Sequence, residues 1–143
     1  MRKLFAMLLS VVVFIGCASG PIGKLQPIIA QELCGEVTVI RISSIVGAMN
    51  SYTIILDGKD IFGIRSGQYT NFKLNEGEYY IGVKCFGGFV PTWKKSSVKF
   101  IVAPNSNSYF LVSPSLSCAS IKSIDESEAQ KRVQDSKYVG MLQ

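Results

Sequence analysis

From Gly35 onward the chain is a succession of short β-rich runs, each closed by turn chemistry, and this pattern limits the fold more than any other feature. The runs are GEVTVIRI (35 to 42), YTIIL (52 to 56), DIFGI (60 to 64), QYTNFKL (68 to 74), EYYIGVKCF (78 to 86), SVKFIVA (97 to 103), SYFLVS (108 to 113) and CASIKSI (118 to 124). Apolar runs of this length, rich in β-branched and aromatic residues, read as strands because a pleated ribbon buries one side chain in two. Asp57-Gly58 suits a tight hairpin turn, since glycine tolerates positive φ. Asn75-Glu76-Gly77 and Pro104-Asn105-Ser106-Asn107 mark two further joints. Within 78 to 86, Tyr79, Ile81, Val83 and Cys85 share one face and Glu78, Gly82 and Lys84 the other, so the first set is expected in the core. The expectation is an all-β fold, an antiparallel β-sandwich of about seven to eight strands.

After Ile124 the character changes to DESEAQKRVQDSK. Asp125 as N-cap with Glu128 three residues later forms a capping box, Ile124 and Ala129 form a weak staple, and Glu128 with Arg132 is a favourable i,i+4 pair. This predicts a short C-terminal helix over about 125–135. Its inward candidates are Ala129 and Val133, so it is expected to bury little and to pack over a sheet edge or end.

The N-terminus has a different chemistry. Arg2 and Lys3 precede the uncharged apolar run Leu4 to Ile15, and Gly16-Cys17 follows. A run of about a dozen residues is too short to span a bilayer, which takes roughly 20, and it reads as the h-region of an export signal. Phe14-Ile15-Gly16-Cys17 resembles a lipobox, in which the cysteine thiol is joined to diacylglycerol and the peptide is cut before it. Phe14 and Ile15 depart from that pattern, which favours Leu and then Ala or Ser. The resemblance implies lipidation of Cys17 with diacylglycerol and an N-acyl chain such as palmitate. Several acyl chains would fix the protein to a membrane. Ala18 in place of Asp after the cysteine implies an outer-membrane address, the domain facing the periplasm. The expected organisation is a lipoprotein signal peptide at 1–16, a lipidated tether at 17–33 broken by Gly20, Pro21, Gly23 and Pro27, and one β domain at 34–143.

Several positions carry a further resemblance: Arg41-Ile-Ser-Ser, Gly47, Tyr52 to Leu56 with Asp57-Gly58-Lys59, Gly67-Gln-Tyr69, Glu76-Gly77-Glu78-Tyr79 and Tyr109-Phe110. Over about residues 36 to 135 the chain resembles small bacterial lipoproteins that carry a domain of unknown function. The resemblance implies a sandwich of the prealbumin-like or carboxypeptidase-regulatory-like kind, with an Ig-like arrangement as the alternative. It transfers no catalytic residue, and fold alone is not function.

Composition narrows the chemistry. There is no histidine, which removes the commonest general base and metal ligand at neutral pH. Once Arg2 and Lys3 leave with the signal, thirteen basic side chains face ten acidic ones, a net +3 that is too weak to argue for nucleic acid. Ser96-Ser-Val-Lys99 matches the S-x-x-K of acyl-enzyme hydrolases, but on a strand those two side chains point apart. Asp57 with Asp60, or Glu76 with Glu78, would be needed as paired carboxylates for a glycosidase, and both pairs sit at turns. Cys34, Cys85 and Cys118 remain after lipidation; Cys85 ends one strand and Cys118 begins another, so these two are the disulfide candidate, and Cys34 to either is the alternative. Without histidine or a CxxC they make a poor zinc or redox site. No catalytic residue, metal site or cofactor is expected.

The stretch Cys85 to Lys99 is the interaction loop candidate. Phe86, Phe89 and Trp93 surround Gly87-Gly88 and Pro91, with Lys94 and Lys95 beside them. Aromatic surface next to positive charge suits a lipid interface, a glycan or a protein partner, whereas the bland alternative is that Trp93 caps an open end of the core. The expected function is a lipid-anchored, non-enzymatic interaction or structural module of the cell envelope. Its partners would be the membrane, through the N-terminal lipid, and an envelope protein or glycan. A small envelope enzyme acting on peptidoglycan or lipid, or a surface-exclusion protein, is the alternative.

Overall fold

A computed structural model describes residues 34–84, 96–115 and 119–140. The strands are β1 (Cys34–Arg41), β2 (Tyr52–Leu56), β3 (Lys59–Ile64), β4 (Gln68–Asn75), β5 (Gly77–Lys84), β6 (Ser97–Val102), β7 (Asn107–Pro114) and β8 (Ala119–Ile124). Helix α1 (Glu126–Gln134) and the short strand β9 (Lys137–Tyr138) follow. Two sheets result, ordered β8-β7-β1-β4-β9 and β3-β2-β5-β6. The eight expected runs are thus the first eight strands, and the fold is an all-β sandwich.

The sheets are not purely antiparallel. β1 and β7 pair in parallel, Glu36 opposite Asn107 through Arg41 opposite Val112, and β9 pairs in parallel with β4. The cause lies in the route of the chain. β6, in the other sheet, brings the backbone back to the end where β1 begins, and Asn105 N–H donates to Cys34 O at 2.9 Å. A strand that starts there beside β1 has to run with it.

The core lies between the sheets. Val37 and Val39 of β1, Ile54 of β2, Phe72 and Leu74 of β4, Ile81 and Val83 of β5, and Phe110 and Val112 of β7 are buried together. Tyr79 packs against the same cluster, so the period-two reading of β5 places its described side chains correctly. Asp57 (φ 48°) and Gly58 (φ 78°) form the β2–β3 turn with both residues left-handed, the conformation that suits a two-residue hairpin.

Helix α1 starts as the sequence implies. Asp125 accepts from Glu128 N–H at 2.8 Å, and Arg132 reaches Glu128 at 3.4 Å. Its position differs from the expectation of a sheet edge or end. Ala129 is buried against Ile40, Leu111 and Ile124, with Val133, Tyr69 and Tyr109 around them, so the helix covers the outer face of the five-stranded sheet. Ile40 and Leu111 are apolar where an exposed face would be polar, and that face therefore needs a cover. The edge is closed instead by β9, through Lys137 N–H to Gly67 O at 2.8 Å and Val139 N–H to Tyr69 O at 2.9 Å. Among the described residues no helix is long and apolar enough to cross a membrane.

Strand directions give the sandwich two poles. Cys34, the β4–β5 turn at Asn75 to Gly77, the β6–β7 turn at Ala103 to Ser106, and the start of α1 lie at the proximal pole, where the preceding N-terminal segment joins. The β1–β2 loop, the β3–β4 turn, the end of β5, the start of β6 and the start of β8 lie at the distal pole.

Candidate interaction surface at the distal pole

The β1–β2 loop is the most unusual part of the described surface, and a buried arginine builds it. Arg41 ends β1 with its side chain turned into the core and wholly inaccessible. Nη1 donates to Asn50 O at 2.6 Å and to Ile64 O at 2.8 Å, and Nη2 donates to Gly47 O at 2.7 Å. The guanidinium also lies over the Tyr52 ring, 3.8 Å from its centroid. No carboxylate pairs with it among the described residues. Burial lowers the Arg41 pKa from its ordinary value, opposed by the electrostatic effect of Tyr52. A planar fork of five N–H donors gathers the three carbonyls in a fixed geometry.

The loop that Arg41 holds is compact. Ala48 N–H donates to Ile45 O at 3.2 Å and Asn50 N–H to Gly47 O at 3.0 Å, giving two successive turns. Ser44 N–H donates to Ser66 Oγ at 3.0 Å, and Ser66 Oγ donates to Ser44 O at 3.2 Å, which ties the loop to the β3–β4 turn. Gly47 has φ 70°, and a Cβ there would stand 2.6 Å from Tyr52 Oη. With its backbone occupied inside, the loop turns its apolar side chains outward: Ile45 and Met49 are each 97% exposed and Val46 is 51% exposed. Exposed apolar side chains are ordinary one at a time, but three on one braced loop form a surface suited to contact.

This loop was not singled out by sequence reasoning. The signals were present: a cation inside the apolar run GEVTVIRI, and Ile45, Val46 and Met49 in a stretch too rich in Ser, Gly and Asn to be a strand.

Ser96 and Lys99, and Asp57 and Asp60, are each engaged with other partners. Ser96 Oγ donates to Ala119 O at 3.1 Å, whereas Lys99 Nζ lies 2.9 Å from Glu78 Oε1 and 5.9 Å from the Tyr80 ring centroid. The hydrogen bond and charge of Glu78 raise the Lys99 pKa, the wrong direction for a lysine base. Asp57 Oδ1 accepts from Tyr80 N–H at 2.8 Å, and Asp60 is paired with Lys84 at 3.2 Å. No group of three or more metal-ligating side chains occurs among the described residues.

Cys17, Cys85, Cys118 and the interaction loop candidates Phe86, Phe89, Trp93, Lys94 and Lys95 lie outside the described residues. Cys34 is disulfide-bonded. Lys84 and Ala119, the neighbours of Cys85 and Cys118, stand at the distal pole, and Ser96 beside β5 is hydrogen-bonded to Ala119.

Comparison of the chain with protein-family models, with curated proteins and with solved structures gives no match in any of the three. Function is therefore argued from the residues.

Proposed function

We propose that this chain is a lipid-anchored protein of the bacterial cell envelope whose β-sandwich is a non-enzymatic interaction module, working through the pole opposite its tether. The observation that carries the reading is the braced loop at Ile45 to Met49. A buried cation and two turns are committed to holding apolar side chains in water, away from the pole where the N-terminal segment joins. The basic n-region, the apolar run and Gly16-Cys17 support export and acylation of Cys17. Lys84 and Ser96, which flank the aromatic and basic sequence of 85–95, both stand at that pole.

Two measurements test the reading. Metabolic labelling with a radioactive fatty acid is expected to mark the native protein and not the Cys17→Ala variant; equal labelling of both refutes the anchor. Photocrosslinking in intact cells from position 45 or 49 is expected to capture a membrane or envelope component that a crosslinker at Glu76, at the proximal pole, does not capture.

A further inference from the structure

We infer that the distal pole is a second membrane contact, in which Ile45, Val46 and Met49 enter the interface of an anionic lipid surface while neighbouring cations meet its headgroups. The inference deepens the interaction-module reading and rests on it, but it does not need Cys17 to be acylated.

The first support is geometric. The tip is presented by a loop in which the N–H groups of Ser44, Val46, Ala48 and Asn50 and the carbonyls of Ile45, Gly47 and Asn50 are hydrogen-bonded, so much of the backbone beside Ile45 and Met49 is satisfied within the protein. This matters because an unsatisfied peptide group is costly in a hydrocarbon environment.

The second support is the charge pattern. No Asp or Glu occurs in residues 42–51 or 64–68, the β1–β2 loop and the β3–β4 turn that meet at the distal pole through Ser44 and Ser66. The turn carries Arg65, and Lys137 joins it, hydrogen-bonded through its backbone to Gly67. Arg65 and Lys137 are exposed, and Lys84 is paired with Asp60. The acids nearest along the chain are Asp60, paired with Lys84, and Asp135, at the C-terminal cap of α1 two residues before Lys137. The proximal pole has the opposite character: Glu76, Asp125 and Glu126 are all exposed there. The described distal loop and turn thus set two exposed cations, Arg65 and Lys137, beside an apolar tip, while three exposed acids stand at the far pole, a pattern that favours approach of the tip to a negative surface. A protein partner would be expected to leave some acid among the basic groups to fix register, and none is present in these loops.

Sixteen residues lie between Cys17 and Cys34, a length that spans about 50 Å when extended, enough for the far end of the domain to reach a bilayer. Contact through the tip would then hold the sandwich by both poles and set its orientation.

The test uses the chain from residue 18 onward, made without signal or lipid, which keeps every described core residue. It is mixed with vesicles of phosphatidylcholine alone or with phosphatidylglycerol added, and bound protein is separated by flotation. Binding is expected to the phosphatidylglycerol vesicles, weakening with salt. The Ile45→Ser, Met49→Ser double variant is expected to bind about tenfold less at an unchanged melting temperature, and Arg65→Gln with Lys137→Gln to lose most of the salt dependence. Failure of the native chain to float, or equal flotation of the double variant, overturns the proposal. So does sedimentation showing that the tip joins two copies of the chain while vesicles leave that equilibrium unchanged. Acyl labelling at Cys17 is read separately: a labelled protein whose tip ignores vesicles removes this inference and leaves the anchor standing.

Discussion

The Arg41 guanidinium lies 3.8 Å from the centroid of the Tyr52 ring, and the two side chains together form the floor of the β1–β2 loop. Tyr52 is the first residue of β2 and Arg41 the last of β1, so the contact joins the two sheets at the point where the chain crosses between them. Gly47 closes the arrangement from above, its carbonyl on Nη2 and its missing side chain leaving room for Tyr52 Oη.

Arg41→Met keeps the volume and removes the donors. Three carbonyls, those of Gly47, Asn50 and Ile64, then lose their partner in a site with little access to water, and the expected cost is about 3 kcal/mol. Hydrogen exchange separates this from a general loss of stability. The Ala48 and Asn50 amides, which close the two loop turns, are expected to exchange faster even under conditions where the strands stay protected. Unchanged protection of those amides would show that the loop does not depend on Arg41.

Tyr79 provides a pH-dependent test of packing between the sheets. Its hydroxyl donates to Asn75 O at 3.1 Å, its ring packs 5.8 Å from that of Phe100, and burial, then the charge of Asp57, raises its pKa. A raised folded-state value means that the neutral phenol is favoured in the folded protein. The stability it contributes is whole below the unfolded value, near pH 10, and is lost as the pH rises through the folded value. Tyr79→Phe is expected to cost roughly 1 kcal/mol at pH 7 through the lost hydrogen bond. The gap between native and variant should narrow above pH 10 in denaturant melts; a constant gap would contradict the assignment.

Helix α1 separates capping from docking. Asp125→Ala removes the acceptor for Glu128 N–H and is expected to cost about 1 kcal/mol. Ala129→Glu places a charge against Ile40, Leu111 and Ile124, where none can be solvated, and is expected to cost several kcal/mol. Circular dichroism melts of both variants should rank them in that order. The reverse order would mean that the helix is not seated on the sheet.

What the residues disclosed in advance was local. Alternation placed Tyr79, Ile81 and Val83 inward, Asp57-Gly58 marked the hairpin, and Asp125 with Glu128 marked the helix start, because each is decided by neighbours in the chain. The direction of β7 was hidden, since parallel pairing with β1 follows from the route through β6 and not from any residue in β7. The seat of α1 was hidden for a related reason: Ile40 and Leu111 read as strand residues, and only register shows that they share an outer face. The distal loop escaped because Arg41 reads as a solvated charge at a strand end until its three carbonyl partners, up to 23 residues away, are brought to it.

The cysteines provide the sharpest chemical test. Cys34 is disulfide-bonded. An acylated Cys17 has no sulfur left for a disulfide, so the anchor excludes Cys17 as the partner of Cys34. Peptide mapping without reduction, on protein extracted from membranes, is expected to recover Cys17 as an acylated thioether. A peptide joining Cys17 to Cys34 in the membrane fraction would sink the lipoprotein reading outright.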